Sequence, residues 1–211
     1  PVAKCHRDSQ PGGSEPRGGT SAMAPMAASK SNQEKEKLMI YLVVLLAVLT
    51  RFIPHMPNFS PVFAALLFGG AHIKRRDAIW YPLLLLAASD VVLTTLVYRM
   101  RFGWGQSITW LGFAVVALIG YWLRNRESIG KLGVAALAGP TAFFLISNFG
   151  VWLGWRMYPP TWDGLVACYF AAVPFYRNSL LATVFYAAVL FGANEIYRRR
   201  HLELASTAQP S

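Results

Sequence analysis

Six apolar runs, at residues 38–53, 60–73, 78–97, 106–123, 130–153 and 178–197, constrain this chain more than any other feature. A helix needs about 20 apolar residues to cross the hydrocarbon core of a bilayer. The runs reach or approach that length. The second, of 14 residues, is short and must be shielded by its neighbours or extended through the proline-rich link before it. Composition points the same way: 55% of the 211 residues are hydrophobic, 14% are charged, and the mean hydropathy is +0.36. Such a profile belongs to integral membrane proteins.

The charge is strongly basic, with 20 Lys+Arg against 10 Asp+Glu. These cations fall in short clusters between apolar runs, as in loops facing anionic lipid, so a nucleic-acid partner is not expected. Cys5 and Cys168 lie far apart in sequence, which implies neither a disulfide framework nor a metal knuckle. Residues 1–36 are rich in Gly, Pro, Ser and charge and are expected to be disordered, as are residues 201–211. With Met23 and Met26 as candidate starts, the leading residues are expected to carry no function. Lys35 and Lys37 precede the first run, but no small-residue cleavage site follows it, so that run is a retained span.

Between the fifth and sixth runs lies TWDGLVACYFAAVPFY, apolar but broken by Pro174. It is expected to be a short re-entrant or interfacial helix, N-capped near Thr161 after the Pro159-Pro160 stop. The fold class is therefore all-α: six transmembrane helices in residues 37–200, plus that short helix before the last. With both termini in the cytoplasm, eleven basic residues lie inside and five outside, namely Arg51, Arg99, Arg101, Arg156 and Arg177. This obeys the positive-inside rule. An internal echo agrees: AALLFGGAHIKRR (64–76) and AAVLFGANEIYRR (187–199) match at eight of 13 positions, each ending in a basic cluster.

On this topology the costly polar residues converge on the outer half of the membrane. Asp90 lies inside the third run, where a central carboxylate costs about 2.5–3.5 kcal/mol. Asn148 is near the outer end of the fifth run, and Arg177 and Asn178 open the sixth. Arg51, His55 and Asn58 belong to the link RFIPHMPNFSPV. A plainly structural reading stands beside each. Asp90 can pair with Arg51 or Arg177, Asn148 and Ser147 can bond a neighbouring helix, and Arg99 and Arg101 can be solvated loop charges. Glu195 suits Arg198 and Arg199 at i+3 and i+4, and the Trp and Tyr residues near run boundaries suit an aromatic belt. Glycines and alanines at 69–70, 130, 133, 135 and 139 suit close helix contacts.

No phosphate-cradling G-x-x-x-x-G-K-[ST], no H-E-x-x-H and no G-x-S-x-G occurs, so neither ATP-fuelled work by this chain alone nor hydrolysis is supported. His55 and His72 have no second ligand at helical spacing, so no metal site is expected. No enzyme activity and no cofactor are expected.

The strings RFIPHMPNFSPVFAALLFGGA, ASDVVL, LISNFGVWLG and LVACYFAAVPFYRNSLLATVFYAAVLFG resemble an uncharacterised bacterial family provisionally described as transport proteins. Met56 stands where members usually carry proline, and Thr94 where they often carry glycine. More distantly, the family is similar to the substrate-capture (S) components of energy-coupling-factor transporters. That resemblance implies a six-span protein of the bacterial cytoplasmic membrane that binds a vitamin-like micronutrient from outside. It also implies partners: a transmembrane coupling protein and ATPase subunits.

The site expected from the residues and this resemblance together is a lid stiffened by Pro54, Pro57 and Pro61. It presents Arg51, His55 and Asn58 to a pocket floored by Asp90 and Asn148 and walled by Arg177 and Asn178. The outer excess of basic residues favours an anionic or zwitterionic solute. The alternative is an accessory membrane protein of an envelope complex that binds no solute.

Overall fold

The structure, a computed structural model, describes residues 23–53, 56–97, 99, 103, 105–124, 128–155 and 157–207. The chain divides into two units, 1–36 and 37–211. In the first, residues 23–36, expected to be disordered, are helical; residues 1–22 lie outside the described residues. Ala, Met, Gln, Glu and Lys are good helix formers, which favours this start.

The described residues are all-helical, with no strand among them. The helices are α1 (Met23–Leu49), α2 (Val62–His72), α3 (Trp80–Val92), α4 (Gly105–Leu123), α5 (Ile129–Gly150) and α6 (Trp162–Thr207). α3 and α5 each continue into a π-helical turn, Leu93–Val97 and Val151–Trp155. Four segments are long and apolar enough to cross a membrane: Trp80–Val97, Gly105–Leu123, Ile129–Trp155 and Trp162–Arg200. Large apolar side chains face outward along them, with Leu84, Leu96, Leu111, Leu145, Phe170 and Phe185 more than half exposed. An apolar exterior on this scale suits lipid, not water.

Two sequence expectations are corrected here. The segment before the last run is not a separate re-entrant or interfacial helix: α6 runs unbroken from Trp162 through Pro174 to Thr207, 46 residues in all. Thr161 does cap it, its hydroxyl accepting from the Gly164 amide at 3.2 Å. Pro174 removes a single backbone donor, a loss that helices in apolar surroundings tolerate. The tail expected over 201–211 is likewise helical as far as Thr207, and 208–211 lie outside the described residues.

α2 occupies the centre of the second unit. At 11 residues it is only about 16 Å long, and every residue from Val62 to Ala71 is buried. A helix apolar on all sides needs partners all round it; α1, α4, α5 and α6 supply them. Its closest approach is to α4. A Cβ on Gly70 would stand 2.6 Å from the Ala117 carbonyl oxygen, and one on Gly120 would stand 2.6 Å from that of Leu67. The two backbones meet because both positions lack a side chain. The echoed segments meet as well, with Phe68 edge-on to Phe191 at 5.3 Å.

The helices alternate in direction. Arg51 after α1, Asp90 near the end of α3 and Gln106 at the start of α4 come together at one end. At the other end Tyr41 of α1 donates to Asp77, ahead of α3, at 2.8 Å. There Arg124 donates to the Gly70 and Ile73 carbonyls, placing a cation at the C-terminus of α2, where the helix dipole favours it.

Candidate functional site

Because α2 is short, the ends of its taller neighbours enclose space above its first turn. The polar centre of that space is built from three elements. Thr50–Phe52 forms a 3-10 turn that ends α1 and projects Arg51 toward α3. One Arg51 amine lies 2.5 Å from an Asp90 carboxylate oxygen, and the other donates to the Ser89 hydroxyl at 2.8 Å. The second Asp90 oxygen accepts from the Gln106 amide at 2.8 Å and the Trp110 indole at 3.0 Å. Gln106 and Trp110 are one helical turn apart on α4, so a single face of that helix supplies both donors. A carboxylate only accepts, which fixes the Gln106 amide with its nitrogen toward Asp90.

Asp90 is 4% exposed. A carboxylate so deeply buried is tolerable only when paired and hydrogen-bonded, and Arg51, Gln106 and Trp110 meet that condition. The guanidinium also lies 5.8 Å from the Phe113 ring centroid. Of its five N–H donors, Ser89 and Asp90 engage two, which leaves three for whatever else enters the space.

That space is a cavity of about 700 Å³, within the range of small-molecule sites. Arg51, Asn58, Ser60, Asp90, Thr94, Gln106 and Thr109 supply its polar lining; Phe52, Phe63, Phe113, Phe143 and Trp155 supply aromatic surface. Thr94 and Val97 reach it from the π-helical turn that ends α3. π turns inside helices often mark functional sites.

The residues expected from sequence divide into three groups. Arg51, Asp90 and Asn58 line the cavity together. Asn148 does not floor it. It lines a separate chamber of about 120 Å³ between α5 and α6, and its amide donates to the Phe144 carbonyl at 2.7 Å. Asn178 is not a wall either: its amide donates to the Pro57 carbonyl at 3.0 Å and so ties the link to α6. Arg177 is exposed and lines neither space. One residue along a helix turns a side chain by about 100°, so with Asn178 facing the link Arg177 faces away. His55 lies outside the described residues.

Ser89, Gln106, Thr109, Trp110 and Trp155 escaped the sequence reading. Gln106 opens an apolar run and so looked like a boundary residue, while Trp110 passed as part of an aromatic belt. Their i, i+4 spacing beside a run containing a buried acid was the available signal. Among the described residues, no three His, Cys, Asp or Glu side chains are grouped to hold a metal ion.

Residues 31–206 match the model of a protein family. The chain belongs to DUF6580, a family of unknown function. The DUF6580 match spans all of α2 to α5 and every described residue of the cavity lining. Neither the curated proteins nor the solved structures gave a significant match.

Proposed function

We propose that this DUF6580 member is a membrane transport protein that captures a small anionic or zwitterionic solute from the outer face. The observation that carries the reading is a cavity of about 700 Å³ lined by the Arg51–Asp90 pair together with the rings of Phe63, Phe113, Phe143 and Trp155. Arg51 holds the anionic group with its remaining N–H donors, and the aromatic walls receive the apolar body. In a zwitterion the cationic group lies toward Asp90.

In this reading the chain crosses the bacterial cytoplasmic membrane six times with both termini inside, as the distribution of basic residues favours. α1 and α2 cross with the help of their neighbours. The link from Arg51 to Pro61 is the lid, hinged at the ion pair and latched by Asn178 on Pro57. Asn58, at φ 59°, takes the left-handed turn within it, a conformation that asparagine adopts more readily than most residues. Any ATP-driven step runs through separate coupling and ATPase subunits, as in the transporters that the sequence resembles.

The test is a thermal-shift screen of the detergent-purified chain against small carboxylates, phosphates and amino acids. A ligand at 100 times its Kd adds about 2.7 kcal/mol of stability. At least one compound is expected to raise Tm, and Arg51→Ala is expected to abolish that rise. A hit that Arg51→Ala leaves intact would place the solute elsewhere.

One observation favours the accessory reading. Asp90 already has three partners from two other elements, which is what a purely structural pair requires. A flat screen would favour it.

A further inference from the structure

The end of the second unit away from the Arg51–Asp90 centre carries positive charge that no acid answers. Lys74, Arg75 and Arg76 share the tight turn between α2 and α3, where the Lys74 carbonyl accepts from the Asp77 and Ala78 amides at 2.8 and 2.9 Å. All three side chains are exposed, and none makes an ion pair or hydrogen bond among the described residues. Asp77, the acid of that turn, takes its hydrogen bond from the Tyr41 hydroxyl instead.

Arg124 adds a fourth cation beside them. It donates to the Gly70 and Ile73 carbonyls, directly before the turn, while its Nε is buried with no hydrogen-bond partner. Burial first, and then the charge of Arg75, press its pKa below the ordinary arginine value. Arg198 and Arg199 of α6 lie at the same end, since Asn194 meets His72 at 3.0 Å. Those two are answered: Glu195 pairs with both, at 2.9 and 2.7 Å.

The unanswered cluster borders an apolar exterior. Trp80 is 69% exposed and begins a segment long and apolar enough to cross a membrane. Leu84, one helical turn on, is 65% exposed and shares its face. The turn therefore stands where apolar surface gives way to charge, which is the level of phospholipid headgroups.

We propose that this turn is a binding site for an anionic phospholipid, with its phosphodiester on Arg75 and Arg76 and an acyl chain along Trp80 and Leu84. Guanidinium groups take phosphate oxygens two at a time. Basic pockets at helix ends hold acidic headgroups in this way. A zwitterionic lipid brings its own cation and leaves the cluster uncompensated, and a soluble anion makes no use of the apolar stripe.

Native mass spectrometry of the purified full chain, titrated with phosphatidylglycerol or phosphatidylcholine, tests this. Phosphatidylglycerol is expected to bind at least about tenfold tighter. Arg75→Gln with Arg76→Gln replaces exposed side chains that bond nothing within the chain, and should weaken binding about fivefold for each cation removed. Arg198→Gln with Arg199→Gln removes equal charge at the same end, from arginines that Glu195 already holds, and should change binding by less than about twofold. Equal binding of the two lipids would overturn the site. So would equal losses in the two double variants, the mark of diffuse attraction to a basic face. Displacement of the lipid by an equal concentration of inorganic phosphate would overturn it as well, in favour of a soluble anion.

Discussion

Arg51 and Asp90 are unequal partners, and that inequality can be measured. The Asp90 side chain is 5% exposed and that of Arg51 21%. Arg51→Ala strands a buried carboxylate with only Gln106 and Trp110, and is expected to cost about 3 kcal/mol, the low end for breaking a buried pair. Asp90→Asn keeps a hydrogen-bonding side chain against Gln106 and leaves a guanidinium that water can reach. Its cost should be smaller, about 1–2 kcal/mol. Thermal unfolding in detergent checks the order; a larger loss in Asp90→Asn would mean that the carboxylate is not the buried liability described here. At this scale the sequence narrowed the partner of Asp90 to Arg51 or Arg177, since an acid in an apolar run needs a cation and few were near; the fold selects Arg51. The rotations of Arg177 and Asn148 were not, because helical phase depends on which neighbour a helix packs against.

Between elements, what holds the bundle is the absence of two side chains. Gly70 and Gly120 let α2 and α4 touch backbone to backbone. Gly120→Ala therefore pushes atoms that cannot yield and is expected to destabilise by about 1–3 kcal/mol. Gly133→Ala is the control: nothing lies within 4 Å of its would-be Cβ, and removing a helical glycine should be neutral or stabilising by up to about 1 kcal/mol. Comparable losses in both variants would show that intrinsic helix propensity, not the α2–α4 contact, governs the result. Hydropathy was enough to locate all six helices, because each apolar run, even the short second one, is bounded by polar residues or proline. It was blind to the continuity of α6, since Pro174 is locally a breaker and only the surrounding helix overrides it. The π-helical turns at 93–97 and 151–155 left no sequence signal either, being compromises between packing and helix geometry.

At the scale of the molecule, the proposed function requires the cavity to open to the outside of the cell. In the proposed topology Lys74 to Arg76 lie in the cytoplasm and the Arg51–Asp90 centre at the other face. Alternating helix directions carry that assignment through the second unit. Thiol labelling in intact cells tests it most directly, using a chain in which Cys5 and Cys168 are replaced and Thr109→Cys lines the cavity. A small membrane-impermeant reagent added outside is expected to modify Thr109→Cys without permeabilisation, while Lys74→Cys reacts only once the membrane is opened. Modification of Thr109→Cys solely after permeabilisation, or of Lys74→Cys from outside, would contradict an outward-facing capture site.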